Sequence, residues 1–178
     1  MSFSRLAAPL ALASLLLAAA PARAALTWDW SFADGSTIEA SGTFATADTA
    51  DAAGWYQITA IAGERDGVAI TGLQPTGTAI PGNEPYAVDN LVRASGVQLT
   101  GNGFGFTTAD GNASNPFYAD FLTVPGYLEF HSIGPDGSSS TELDVTFSAH
   151  ISTVPEPGTT TLFVTGLLAL AWARGRRG

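Results

Sequence analysis

The residues most able to do chemistry are two histidines, His131 and His150. His131 alternates with Tyr127 and Glu129, and His150 with Asp144, on what reads as the polar face of a strand. They could meet across strands as a metal pair. Zinc, however, wants three or four ligands at close spacing. No His-x-His and no His-Glu-x-x-His occurs, so the expectation is two exposed histidines and no metal site. Composition permits a Ser–His–acid site, but there is no Gly-x-Ser-x-Gly elbow. Carboxylates for glycoside hydrolysis are plentiful, and nothing singles out a pair. No catalytic residue is assigned. Calcium is better served: Asp110-Gly111-Asn112, Asp136-Gly137 and Asp89-Asn90 put oxygens on loops. The EF-hand spacing is absent, and these dipeptides are also ordinary turn chemistry. The expectation is no cofactor, with a structural calcium as the alternative. Trp55, Tyr86, Phe117 and Tyr127 are not clearly committed to an inner face and would suit sugar stacking.

The elements that must position these residues read as strands. Leu26, Trp28, Trp30 and Phe32 alternate with Thr27, Asp29 and Ser31, the pattern of a half-buried strand. Asp34-Gly35 turns the chain into a second alternating run over residues 38–44. Strands are expected at 55–62 and 68–73, joined by a turn over 63–67 carrying the hairpin signal Asp66-Gly67. Residues 74–85 hold three prolines and form an irregular loop. Short strands follow at 86–93, 97–100 and 104–106, then a polar loop at 110–116. Residues 118–124 and 127–133 read as strands broken by Pro125-Gly126. Leu143, Val145, Phe147, Ala149 and Ile151 mark the last strand. About nine strands without an amphipathic helix predict an all-β domain, an antiparallel β-sandwich or jelly roll, with a closed barrel as runner-up. The first and last strands carry the heaviest apolar faces and are expected in central positions.

The chain has 178 residues, with 7 basic and 16 acidic side chains, no lysine and no cysteine. Five of the seven arginines (5, 23, 174, 176, 177) lie in the two terminal segments. The domain between them, residues 25–153, keeps only Arg65 and Arg93, and every acid except Glu156. Such a surface repels nucleic acid and anionic membrane, stays soluble and attracts cations. Without cysteine there is neither a disulfide nor a cysteine nucleophile, so core packing and sheet hydrogen bonds hold the fold alone.

At the N-terminus, Arg5 precedes an apolar run over residues 6–20, and Ala22-Arg23-Ala24 is an A-x-A site. Residues 1–24 therefore read as a secretory signal peptide, cut by signal peptidase at Ala22 and Ala24. At the C-terminus, Val154-Pro155-Glu156-Pro157 breaks the chain, because proline fixes φ and lacks an N–H. An uncharged run over 159–173 follows, about 22 Å long as a helix, short against a bilayer core of about 30 Å. Arg174, Arg176 and Arg177 come next, which places this end in the cytoplasm.

Proline-glutamate-proline, a short transmembrane run and a terminal arginine cluster, in that order over 154–178, resemble the PEP-CTERM sorting signal. The stretch 56–63, then Gly67, residues 70–73 and Asp89-Asn90, is similar to a pattern of small secreted PEP-CTERM proteins, from which no activity carries over. The resemblance implies recognition by an exosortase, a membrane-embedded transpeptidase-like enzyme, in a Gram-negative bacterium that makes exopolysaccharide. Val154, Pro155, Glu156 and Pro157 would be the sorting motif, with the catalytic groups supplied by the partner. The expected protein is exported and non-enzymatic, held transiently in the inner membrane by its C-terminal helix. It then joins the cell surface or a biofilm matrix, with extracellular polysaccharide as a further partner and no nucleic acid. The rival readings are a secreted carbohydrate- or calcium-binding module, and a secreted hydrolase.

Overall fold

A computed structural model describes residues 25–35 and 37–152. They form nine strands: β1 Leu26–Asp34, β2 Thr37–Thr46, β3 Tyr56–Arg65, β4 Val68–Leu73, β5 Leu91–Val92, β6 Phe106–Thr108, β7 Ala113–Ala119, β8 Gly126–Ile133 and β9 Ser139–Ile151. All pairings are antiparallel. Around the ring the order is β1-β2-β3-β4-β6-β7-β8-β9, and β9 returns to β1. This is a closed eight-stranded up-and-down barrel, with β5 attached to β3 outside the ring. The sandwich or jelly-roll expectation is thereby corrected in favour of its runner-up. The reason lies in the connectivity. Ring strands that follow one another in sequence pair directly, β4 and β6 doing so even across the long segment 74–105, whereas a sandwich needs crossings between sheets. The expected signal peptide and C-terminal helix lie outside the described residues.

Closure has two parts. Strands β1 and β9 pair from Trp28↔Ile151 to Ala33↔Thr146, so the two strands with the heaviest apolar faces lie side by side. At the β2–β3 seam Gly42 faces Gly63. The backbones there approach so closely that a Cβ on Gly42 would meet the Ala62 carbonyl oxygen at 2.0 Å, and one on Gly63 the Ser41 oxygen at 2.2 Å. Neither position admits a side chain.

Eight strands enclose a space that side chains can just fill. Here aromatics fill it. Trp30 stacks on Phe44 (5.1 Å, 7°) and meets Phe104 edge-on (5.5 Å), and Phe104 lies 5.9 Å from Phe147. Trp28 is fully buried, and its Nε1 donates to Thr46 Oγ1 at 3.0 Å.

Strands β3 and β4 pair only beside their turn, at Glu64↔Ala69 and Arg65↔Val68. Further along, β3 pairs instead with β5. The segment 74–105 packs into this splay and sends Val92, Leu99 and Phe104 into the core. Asn90 anchors it. This residue is buried at positive φ (54°), donates to the Gln74 carbonyl (2.8 Å) and Thr76 Oγ1, and accepts from Gly105 N–H. Its own carbonyl accepts from Ile58 N–H. The Gln98 side-chain amide bonds both the N–H and the carbonyl of Ala149, where β9 extends beyond β8.

Strand β7 replaces the expected loop at 110–116 and takes the place of the strand expected at 118–124. Pro116 argues against a strand in sequence, since it cannot donate to a ladder. In the fold it pairs with Glu129 of β8, and its carbonyl accepts from Phe104 N–H in the segment alongside.

Candidate functional site

The outer side of β7 forms one wall of a cleft of about 520 Å³. Its floor is a chain of amides. Asn83 Nδ2 donates to Asn115 Oδ1 (3.1 Å), and Asn115 Nδ2 donates to the Asn102 and Phe104 carbonyls (3.0 Å each). Asn83 and Asn115 are both buried. Residues 101–103 can lie against β7 because Gly103 has no side chain; a Cβ there would meet the Pro116 carbonyl oxygen at 1.9 Å. Residues 83–86 turn with Tyr86 N–H donating to the Asn83 carbonyl (2.9 Å). That turn brings Tyr86 to the cleft, which Phe117 of β7 and the following Phe121 also line. Tyr86 is 67% exposed and Phe121 73% exposed. Asp120 and Glu142 add two exposed carboxylates, and no cation lines the cleft.

Of the four aromatics expected to be free for stacking, Tyr86 and Phe117 meet in this cleft. The other two are committed elsewhere. Arg93 lies over the Trp55 ring at 4.6 Å. Tyr127 packs on Phe147 and Tyr118, and its hydroxyl accepts from Gln98 N–H. Phe121 was hidden in an expected strand. Only the turn after β7 makes it a surface ring.

A second polar constellation lies inside the barrel. Arg65 ends β3 and Glu129 sits mid-β8, diametrically opposite in the ring order. The guanidinium spans the lumen and holds the carboxylate with two bonds, Nε–Oε1 2.7 Å and Nη2–Oε2 2.9 Å. Glu129 has no exposed surface at all. Asp66 adds a contact to Arg65 Nη1 at 2.5 Å from the rim. Burial disfavours the Arg65 charge, but the bonds and charge of Glu129, with Asp66 and Glu39, outweigh it and raise its pKa. Glu39 is itself raised, chiefly by burial and by its bond to Asp66.

His131 points into the same lumen and is buried, which corrects the expectation that it is exposed. The alternation with Tyr127 and Glu129 is real, but their shared face is the interior. His131 Nδ1 pairs with Ser114 Oγ at 3.0 Å. Burial, then the Arg65 charge, push its pKa down, so the ring is neutral at pH 7. The set Ser114, His131 and Glu129 has the composition of a nucleophilic triad. Ser114 has no exposed surface, however, and both Glu129 oxygens are held by Arg65.

His150 is exposed as expected, 3.6 Å from Asp29. His131 pairs with Thr141 of β9. His150 is nine residues further along that strand, about 30 Å away, so no histidine pair forms.

The three calcium candidates are separate turns. Asp110 accepts from Thr108 Oγ1, Asn112 N–H and Asn112 Nδ2, and the Thr108 bond above all lowers its pKa. Asp136 accepts from Ser138 N–H. Asp89 accepts from Thr100 Oγ1 and Leu91 N–H, and burial raises its pKa. Among the described residues no three His, Cys, Asp or Glu side chains come together as a metal group.

The remaining assigned residues lie outside the described residues: Ala22 and Ala24 on one side, and Val154, Pro155, Glu156, Pro157, Arg174, Arg176 and Arg177 on the other. The described chain does place their attachment points. Ser152 N–H donates to the Thr27 carbonyl at 2.7 Å, continuing the β1–β9 ladder. The start of β1 and the end of β9 therefore lie side by side at one end of the barrel. No curated protein and no solved structure matches the chain. A family model described as the PEP-CTERM protein-sorting motif matches residues 153–177. That match begins one residue after the last described one, where β9 has just ended. The chain thus carries, at its C-terminal end, a match to the PEP-CTERM sorting motif, a signal that implies export and processing by an exosortase.

Proposed function

We propose that this chain is a non-enzymatic surface or extracellular-matrix protein of an exopolysaccharide-producing Gram-negative bacterium, delivered as an acidic β-barrel. Signal peptidase removes residues 1–24 at Ala22 and Ala24. The apolar run at 159–173 holds the protein transiently in the inner membrane, with Arg174, Arg176 and Arg177 on the cytoplasmic side. Exosortase then acts near Pro155, Glu156 and Pro157, and the helix and basic tail are lost. The protein needs no catalytic residue and no cofactor for this role.

The observation that carries the reading is the sorting motif at 153–177, joined directly to the closing strand of a complete barrel. The geometry at that junction supports it. Both membrane-directed segments attach to one end, so a single end of the barrel meets the membrane during export. Processing also separates charges. The domain retains Arg65 and Arg93 against every acid but Glu156, so the freed product is repelled by anionic headgroups. The mass of the mature protein, with and without an exosortase, is the test. Loss of the C-terminal segment only in the presence of the enzyme is expected. An unchanged mass that retains Arg177 in both would overturn the proposal.

A further inference from the structure

We propose that the cleft beside β7 is a binding site for an uncharged polysaccharide chain. Tyr86 and Phe121 stand exposed in one cleft, whereas Trp28, Trp30, Phe32, Phe44, Phe104 and Phe106 are buried. Aromatic rings left in water cost hydrophobic free energy, and grouped exposed rings mark places where a ligand covers them. The volume of about 520 Å³ lies in the range of sites for small organic groups.

The polar groups say what the ligand is. The floor offers the Asn83–Asn115 amides, and the rim offers the Asp120 and Glu142 carboxylates. A sugar ring presents an apolar C–H face to an aromatic and hydroxyl donors at its edge, which satisfies both kinds of wall together. An apolar peptide would cover the rings but give the Asp120 and Glu142 carboxylates no donor in place of the water it displaces, which is costly. The charge excludes anionic polymers. The cleft holds two carboxylates and no cation. Arg65 and Arg93, the two cations among the described residues, are bound to Glu129 and to Trp55 with the Val97 carbonyl. Uronate-rich or sulfated chains would meet uncompensated repulsion.

Where the protein meets such a polymer rests on the export reading, but binding itself does not. The test therefore uses the full chain in mild detergent, run through native gels cast with dextran, galactomannan or hydroxyethyl cellulose, and with polygalacturonate. Retardation by at least one neutral polymer is expected, and none by polygalacturonate. Tyr86→Ala and Phe121→Ala should each weaken retardation about tenfold, while Phe121→Tyr keeps it. Trp55→Ala should not alter it, because Arg93 covers that ring away from the cleft. Both alanine variants remove exposed rings, so their melting should match the parent. Three results would each overturn the proposal: no retardation by any neutral polymer, alanine variants retarded like the parent, or polygalacturonate binding as strongly.

Discussion

Removing the Arg65 guanidinium is the sharpest test of how this barrel is braced. Arg65→Met keeps an unbranched apolar stem and deletes the two bonds to Glu129. The carboxylate then sits with no exposed surface in a lumen that it shares with the neutral His131. Breaking a buried ion pair from one side costs about 3–5 kcal/mol, because the surviving charge loses its partner without regaining water. Asp66 also loses a partner, but its side chain is half exposed, so that loss adds at most about 1 kcal/mol. Domains of this kind are stable by about 5–15 kcal/mol, so at least about a fifth of the total is at stake. With a urea dependence near 2 kcal/mol/M, the unfolding midpoint should fall by about 2 M. Trp28 and Trp30 in the core report the transition by fluorescence. The double variant Arg65→Met/Glu129→Leu should recover most of the loss, since replacing both members by apolar groups is often close to neutral. If Arg65→Met lowers the midpoint no more than Asp66→Asn, the pair is not a brace. A double variant as unstable as Arg65→Met would move the cause from the orphaned charge to packing.

Other perturbations follow from the same geometry. Gly42→Ala forces a methyl onto the Ala62 carbonyl at the β2–β3 seam, and a loss of about 2 kcal/mol or more is expected in thermal melts; unchanged melting would mean that the seam is not closed. Thr46→Val leaves the buried Trp28 N–H without its acceptor and should cost about 1–3 kcal/mol by the same measurement. His131 is held below its ordinary pKa, so the unfolded chain binds more protons once the pH drops below about 6.5. Its contribution is therefore whole above that pH and declines as the pH falls through it; melts at pH 7 and pH 5 should show a smaller difference in His131→Gln than in the parent. Melts with calcium and with chelator should superimpose, because each candidate carboxylate already accepts internal bonds; a rise with calcium would restore the structural-cation alternative.

Much of the barrel was legible in the pattern of its residues. Strict alternation identified β1 and β9, and the hairpin signal Asp66-Gly67 is a real turn with both residues at positive φ. The run 127–133 was placed as a strand, and β8 spans Gly126–Ile133. Alternation reports which residues share a face. It does not report whether that face looks outward, and so Tyr127, Glu129 and His131 were assigned to the solvent side. The interior position of Glu129 depends on Arg65, which is 64 residues away in sequence and reads as part of a turn. Pro116 hid β7 for a related reason, since its missing N–H is harmless only because of what lies beside it. The cleft was half visible: Tyr86 and Phe117 were candidates, while Trp55 and Tyr127 were removed by contacts that no local pattern encodes.

The amino-acid sequence by itself determined the sorting motif and the strand content. Both are local properties: a sorting motif is read as a short linear string, and a two-residue period needs no distant partner. The tertiary structure alone decided between sandwich and barrel, between an exposed and an interior charge pair, and which exposed rings share a cleft. Each of those depends on which strands become neighbours. That is settled by closure, where β9 pairs with β1 and two facing glycines let β2 and β3 come together.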